Sequence, residues 1–142
     1  MKHYHETCCA LIKQINDGLE KYANNLLREN DLTMMQIAVL VELDSSEGKT
    51  RSLKWLEHKF RVAQPTMLGI VKRLEQKALV ETYVSSEDRR MKLVHATEAG
   101  SEKCTIGYTY MDHTEENLLQ ALSPEEQVEF SRMLKKIAEQ LP

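Results

Sequence analysis

The sequence predicts a mainly α-helical fold with one small β-hairpin, and three observations predict it. Apolar residues recur at steps of three and four along most of the 142 residues, the period of one helical face. Strand-like alternation is confined to one place, where Val80, Thr82 and Val84 alternate with Glu81 and Tyr83, as a half-buried strand should. That reading leaves no apolar patch on the hairpin. A polar tip, Ser85-Ser86-Glu87-Asp88-Arg89-Arg90, then closes it.

Taken in order, the first helix carries Cys8, Leu11, Ile12, Ile15, Leu19, Tyr22 and Leu26 as one continuous seam and ends at Asn30-Asp31. Thr33 and Gln36 form a T-x-x-Q capping box, with Leu32 and Ile37 placed as a hydrophobic staple. They start a second helix that runs to about Leu43. The loop Asp44-Ser45-Ser46-Glu47-Gly48-Lys49 leads into a strand around Thr50-Arg51. A helix from about Ser52 to Phe60 buries Leu53, Leu56 and Phe60, and Arg61-Val62-Ala63 is a tight turn. The next helix starts near Gln64-Pro65, where proline suits a position that needs no N–H, and turns Met67, Ile70, Val71 and Leu74 inward. Its opposite face is Gln64, Thr66, Leu68, Gly69, Lys72 and Arg73. After the hairpin, Thr97 caps a long helix through about Ala121. Ser123-Pro124-Glu125-Glu126 starts the last one with a cap, a proline and acids in the first turn. Its stripe is Val128, Met133 or Leu134, Ile137 and Leu141.

Helix, turn, helix and hairpin over 33–97 make a winged helix-turn-helix inside a single domain of 1–142, flanked by terminal helices over 1–30 and 98–142. A chain of this size cannot bury the winged helix and both end stripes in one core. The stripes therefore imply a second copy, a homodimer. Charge points to the other partner. The whole chain is acidic at net −3, but Lys49 to Lys92 holds eleven Lys and Arg against five acids. That segment is +6 and the remainder −9. A basic centre between acidic arms, with two arginines at a hairpin tip, suits double-stranded DNA, whose phosphates would supply most of the affinity.

At these residues the chain resembles the MarR family of transcriptional regulators, whose wing carries D-x-R, five residues, then L-T-x-x-G. Asp88-Arg89-Arg90, Met91 to His95 and Ala96-Thr97-Glu98-Ala99-Gly100 match it. Ala96 stands where the family usually has leucine, and Ala78 where a glycine commonly ends the recognition helix. A non-glycine residue at φ > 0 there costs about 1 kcal/mol. The resemblance implies terminal helices that form a homodimer and two recognition helices that read a pseudo-palindromic operator, with half-sites about 10 base pairs apart. It further implies that Arg90 enters the minor groove and that Asp88 orients it, while Arg89 and Lys92 contact phosphate. In the recognition helix, opened by Pro65, Gln64 and Thr66 are placed for base edges, Leu68 for a thymine methyl, and Lys72 for phosphate or guanine, with Arg73 beside it. Gly69 leaves room for close approach to the groove, against the plainer reading of drift at an exposed site.

What such a regulator senses has three readings. A small aromatic or amphipathic effector would be lined by Trp55, Tyr108, Tyr110, Met111 and His113, whose plainer role is core packing. Alternatively, Cys8-Cys9 falls where the hydroperoxide sensors of the family place a reactive cysteine. Tyr22 is the phenol implied beside it, and Lys13 the one cation within a turn. A metal held by His3, His5, Cys8 and Cys9 is the weakest, because a frayed terminus explains them as well. No metal or cofactor is expected. Phosphate loops, nucleophile elbows, C-x-x-C pairs and paired carboxylates are missing from the sequence, so it does not read as an enzyme. The rival of another class is a winged helix used as a protein-interaction module, which the exposed basic tip disfavours. No apolar run is long enough for a membrane span or a signal peptide, and three cysteines are an odd count. A cytoplasmic protein with free thiols, a repressor released by a small ligand, is the expectation.

Overall fold

A computed structural model describes residues 3–142; Met1 and Lys2, the start of the polar N-terminal stretch, lie outside the described residues. The elements are α1 (Cys8–Glu29), α2 (Met34–Asp44), β1 (Thr50–Ser52), α3 (Leu53–Phe60), α4 (Gln64–Gln76), β2 (Val80–Val84), β3 (Lys92–Ala96), α5 (Glu98–Leu119) and α6 (Pro124–Ala138). Short 3₁₀ turns at Tyr4–Glu6 and Glu47–Lys49 precede α1 and β1. The chain forms two compact units, Met1–Tyr110 and Met111–Pro142, with the boundary inside α5.

In the first unit α2 is the centre. Its sequence is apolar almost all round, and Ile37, Val39, Leu40 and Leu43 are buried, the pattern of a helix enclosed on every side. The expected capping box is present: Thr33 Oγ1 accepts from Gln36 N and Gln36 Oε1 from Thr33 N, each at 3.2 Å. Around α2 pack Leu53 and Leu56 of α3, Met67, Val71 and Leu74 of α4, and Val80, Val94 and Ala96 of the sheet. Ser52 caps α3 by accepting from Trp55 N at 3.0 Å. The strands lie in the order β1-β3-β2, all antiparallel, with Arg51 opposite Val94 and Thr82 opposite Val94 on the other side.

The end of α4 is a Schellman motif. Leu79 N donates to Leu74 O and Ala78 N to Glu75 O, both at 3.0 Å, with Ala78 at φ 58°. The alanine found where glycine is common does not disturb the helix end; it bears the left-handed conformation itself. Asp31 and Arg61, both at φ 53°, end α1 and α3 in the same way. Thr97 then ties three elements together. Its N–H donates to Leu79 O (3.1 Å), its hydroxyl donates to Ala78 O (2.8 Å), and the same oxygen accepts from Gly100 N (3.1 Å) to cap α5. A Cβ at Gly100 would collide with the Leu79 carbonyl, and one at Gly107 would come within 2.8 and 2.9 Å of methyls of Ile37 and Val41. α5 lies flush on the core there.

Three expectations need correction. The hairpin does carry exposed apolar side chains at its outer end: Val84 is 58% exposed, and Tyr83 and Met91 are exposed with it. At about 3.3 Å per residue, β2 runs past the core that covers Val80. Leu141 lies beyond the end of α6 and is not part of its stripe. His5 belongs to the 3₁₀ turn, and Thr7 is extended at φ −75°, ψ 151° as the cap of α1. His5, Cys8 and Cys9 thus share no helix face, and the described residues hold no cluster of three metal-binding side chains.

The end helices leave their apolar stripes open to solvent. On α1, Leu11, Ile12, Ile15 and Tyr22 are exposed and only Ala23 and Leu27 are buried. In the second unit α6 has its capping box, Ser123 Oγ accepting from Glu126 N at 3.2 Å and Glu126 Oε1 from Ser123 N at 2.9 Å. It buries no residue, and Val128, Met133, Leu134 and Ile137 face solvent.

Ala78→Gly is expected to raise stability by about 1 kcal/mol, since it removes a left-handed alanine without touching a contact. Chemical denaturation of the two proteins checks this, and an unchanged or lower midpoint would show that the Schellman end is not strained.

Candidate nucleic-acid interface

The outward face of α4 presents Gln64, Pro65, Thr66, Lys72 and Arg73 to solvent. Leu68 is half-buried and packs against the core, so only part of it is free to meet a base. Space around Gly69 is open: a Cβ there would find no atom within 4 Å. Nothing inside the chain requires glycine at this position, which would stabilise α4 as alanine.

The wing tip is a folded loop. Ser85 N donates to Met91 O and Met91 N to Asp88 O, each at 2.9 Å, while the buried Ser85 hydroxyl accepts from Glu87 N at 3.2 Å. Asp88 Oδ1 accepts from both the backbone N (3.0 Å) and Nε (3.2 Å) of Arg90. That arrangement holds a side chain which is 92% exposed. An ion pair so exposed adds little stability; its effect is to fix the direction of the guanidinium. Arg89 and Lys92 are exposed on either side.

An open cleft of about 940 Å³ separates the first turns of α3 and α4 from the wing. It brings Gln64 and Leu68 of α4 together with Asp88, Arg90 and Lys92 of the wing. Lys72 and Arg73 lie further along α4 and do not line it. Lys54 and His58, which the sequence reading passed over, do. The signal was available, because they stand four apart on the face of α3 opposite Leu53 and Leu56. His95 Nδ1 sits 2.9 Å from Thr50 Oγ1 and 3.1 Å from Gly48 O, where it joins β3 to the turn before β1.

The MarR family model matches residues 30–91, from the end of α1 to the wing tip. Over those residues the chain is similar to the MarR family. Solved structures extend the likeness to nearly the whole chain. The MepR–DNA complex of S. aureus aligns over 95% of this chain and 98% of its own, with 24% identity and a TM-score of 0.83. AbsC, a MarR family transcriptional regulator from Streptomyces coelicolor, aligns over 98% and 95%, with 25% identity and a TM-score of 0.81. Bordetella bronchiseptica BpsR, whose DNA binding is regulated by 6-hydroxynicotinic acid, aligns over 97% of both chains, with 22% identity and a TM-score of 0.77. Among curated proteins no sequence matches the chain.

Within the first unit the effector candidates have different surroundings. Trp55 lines the cleft, whereas the Tyr108 hydroxyl donates to Asp44 at 3.4 Å and Tyr110 stacks on Tyr22 with centroids 5.8 Å apart. Met111 and His113 belong to the second unit, where both are exposed. The thiol reading fares no better within one protomer. Cys8 and Cys9 are exposed, but Tyr22 lies fourteen residues along the same helix, about 21 Å away at 1.5 Å per residue. Lys13 is engaged by Asp17 at 2.9 Å. The third thiol, Cys104, is buried and donates to Gly100 O at 3.4 Å. Burial pushes its pKa up to about 11, the nearby Asp44 carboxylate adds to this, and Lys49 opposes it.

Cys104 therefore stays protonated at pH 8, and the thiolate is the reactive form. Thiol titration of the folded protein at pH 8 is expected to count two fast cysteines per chain, and three after denaturation. Three fast thiols in the folded protein would contradict the packing around Cys104.

Proposed function

We propose that this chain is a DNA-binding transcriptional regulator that acts as a homodimer on a pseudo-palindromic operator and is a repressor released by a small ligand. The observation that carries the reading is the pre-set wing: Arg90 is held by Asp88 in a direction, beside the polar start of α4, across a cleft walled by Lys54 and Lys92. Two elements built to enter adjacent grooves then flank one strand of the duplex. Gln64, Pro65 and Thr66, with the free part of Leu68, face base edges in this reading. Lys72, Arg73, Arg89 and Lys92 contact phosphate, and Arg90 enters the minor groove. The likeness to the S. aureus protein crystallised with DNA supports it.

The homodimer is supported by the open stripes of α1 and α6, surfaces of the kind that mark association sites. An aromatic or amphipathic effector is proposed by analogy with BpsR. A DNA partner supports a cytoplasmic location, and among the described residues no helix is long and apolar enough to cross a membrane.

Arg90→Ala should weaken operator binding by about 1–3 kcal/mol and lower the slope of log K against log salt by about 1, with the dimer intact. Titrating a labelled duplex at several salt concentrations tests this; unchanged affinity would remove the wing from the interface. Gly69→Ala should separate two effects. Thermal unfolding is expected to show about 1 kcal/mol of stabilisation, and the same duplex should bind more weakly if α4 approaches the groove closely. Equal or tighter binding would place Gly69 outside the interface.

A further inference from the structure

The sole tryptophan is built into the wall of the cleft in a way that core packing does not require. Arg51 lies over the Trp55 ring, with Cζ 4.0 Å from the centroid. The guanidinium is itself held: its Nε donates to Ser46 Oγ at 2.8 Å, and the Ser46 hydroxyl donates to Glu42 O at 2.6 Å. A chain of hydrogen bonds from the end of α2 thus fixes one face of the indole. The ring lines the cleft together with Lys54, Arg90 and Lys92. Among the described residues the indole N–H has no acceptor, and Nε1 is not one of the buried polar atoms left without a partner. Trp can only donate, so this is a fixed, solvent-reaching donor in a cleft walled by cations. Of the two carboxylates there, Glu57 and Asp88, the second is occupied by Arg90.

We propose that Trp55 is a DNA-contact residue, its indole N–H donating to a phosphate oxygen of the strand that passes between the grooves entered by α4 and the wing. The inference rests on the DNA-binding reading and adds a contact outside the recognition helix and wing. A neutral donor on a phosphate strengthens binding to any sequence and releases no counterion. Its loss should therefore lower affinity without changing the salt slope. The first turn of α3, which supplies Lys54 to the same wall, carries the positive end of the helix dipole, which favours an anion at that place.

The test uses the full-length protein and a labelled duplex selected by it from a random-sequence pool. Trp55→Phe keeps the ring for Arg51 to cover and removes the N–H. It is expected to weaken binding about tenfold on the selected duplex and on a scrambled one alike, the size of a hydrogen bond to a charged group. The salt slope should stay that of the wild type, whereas Arg90→Ala lowers it. In the unmutated protein, tryptophan emission should change on titration with duplex, and the neutral quencher acrylamide should reach Trp55 less well at saturation. Binding of Trp55→Phe within twofold of wild type beside a weakened Arg90→Ala would overturn the proposal and leave the DNA reading standing. Unchanged acrylamide quenching at saturating duplex would overturn it even if the variant failed to fold. A wild-type protein that selects no duplex would overturn both.

Discussion

The residues that close α4 fix the relation between the part that would read DNA and everything behind it. Ala78 turns the chain out of the helix, Leu79 returns it to the core, and Thr97 binds both carbonyls while it starts α5. Gly100 allows the first turn of α5 to rest on the Leu79 carbonyl. The end of the recognition helix, both inner strand ends and the beginning of the long helix thus meet within a few residues. The backbone groups of Ala78, Leu79, Thr97 and Gly100 that these bonds engage are satisfied at the junction, which offsets the cost of burying them where several chain segments cross. Alanine rather than glycine at the left-handed position is a small local cost inside a large set of satisfied bonds.

The charge pattern has a related logic. A net charge of −3 hides a basic centre, and the structure shows how that centre is divided. Some cations are spent internally: Arg51 on Trp55 and Ser46, and Lys49 on Asp44 and Ser101. Others, such as Lys54, Lys72, Arg73, Arg89 and Lys92, are exposed. Arg90 belongs to both classes, since Asp88 holds it while leaving it open. Fixing a long side chain in advance reduces the rotamer entropy lost on binding, so in the proposed function the exposed pair would act on recognition more than on stability.

The elements were legible because they rest on local signals. The Thr33 and Ser123 caps, the proline after Ala63, the inward faces of α3 and α4 and the D-x-R loop each depend on residues within one or two turns, and each appears in the structure. What sequence reasoning missed depends on contacts across long separations. The cleft joins residues near 54 to residues near 90, and no periodicity announces it. Trp55 has Arg51 over its ring and lines the cleft beside the wing, a placement that depends on residues far along the chain. Tyr22 was paired with Cys8 by position in a family pattern, but one helix separates them by four turns and Tyr110 covers the ring. The outer end of the hairpin was misjudged because alternation describes which way side chains point, not how far the core beneath them extends.

The two close approaches of α5 have a mechanical consequence. Gly100 and Gly107 stand on one side of the helix, about 10 Å apart along its axis, one against the chain leaving α4 and the other against the middle of α2. Backbone and methyl groups at such distances give no room for the helix to slide or roll, because packed interiors resist even small losses of volume. Between Glu98 and Tyr110, α5 is therefore a rigid spoke of the winged helix. A push applied anywhere on that stretch is delivered to α4 as displacement of one body, with no play in between to absorb it.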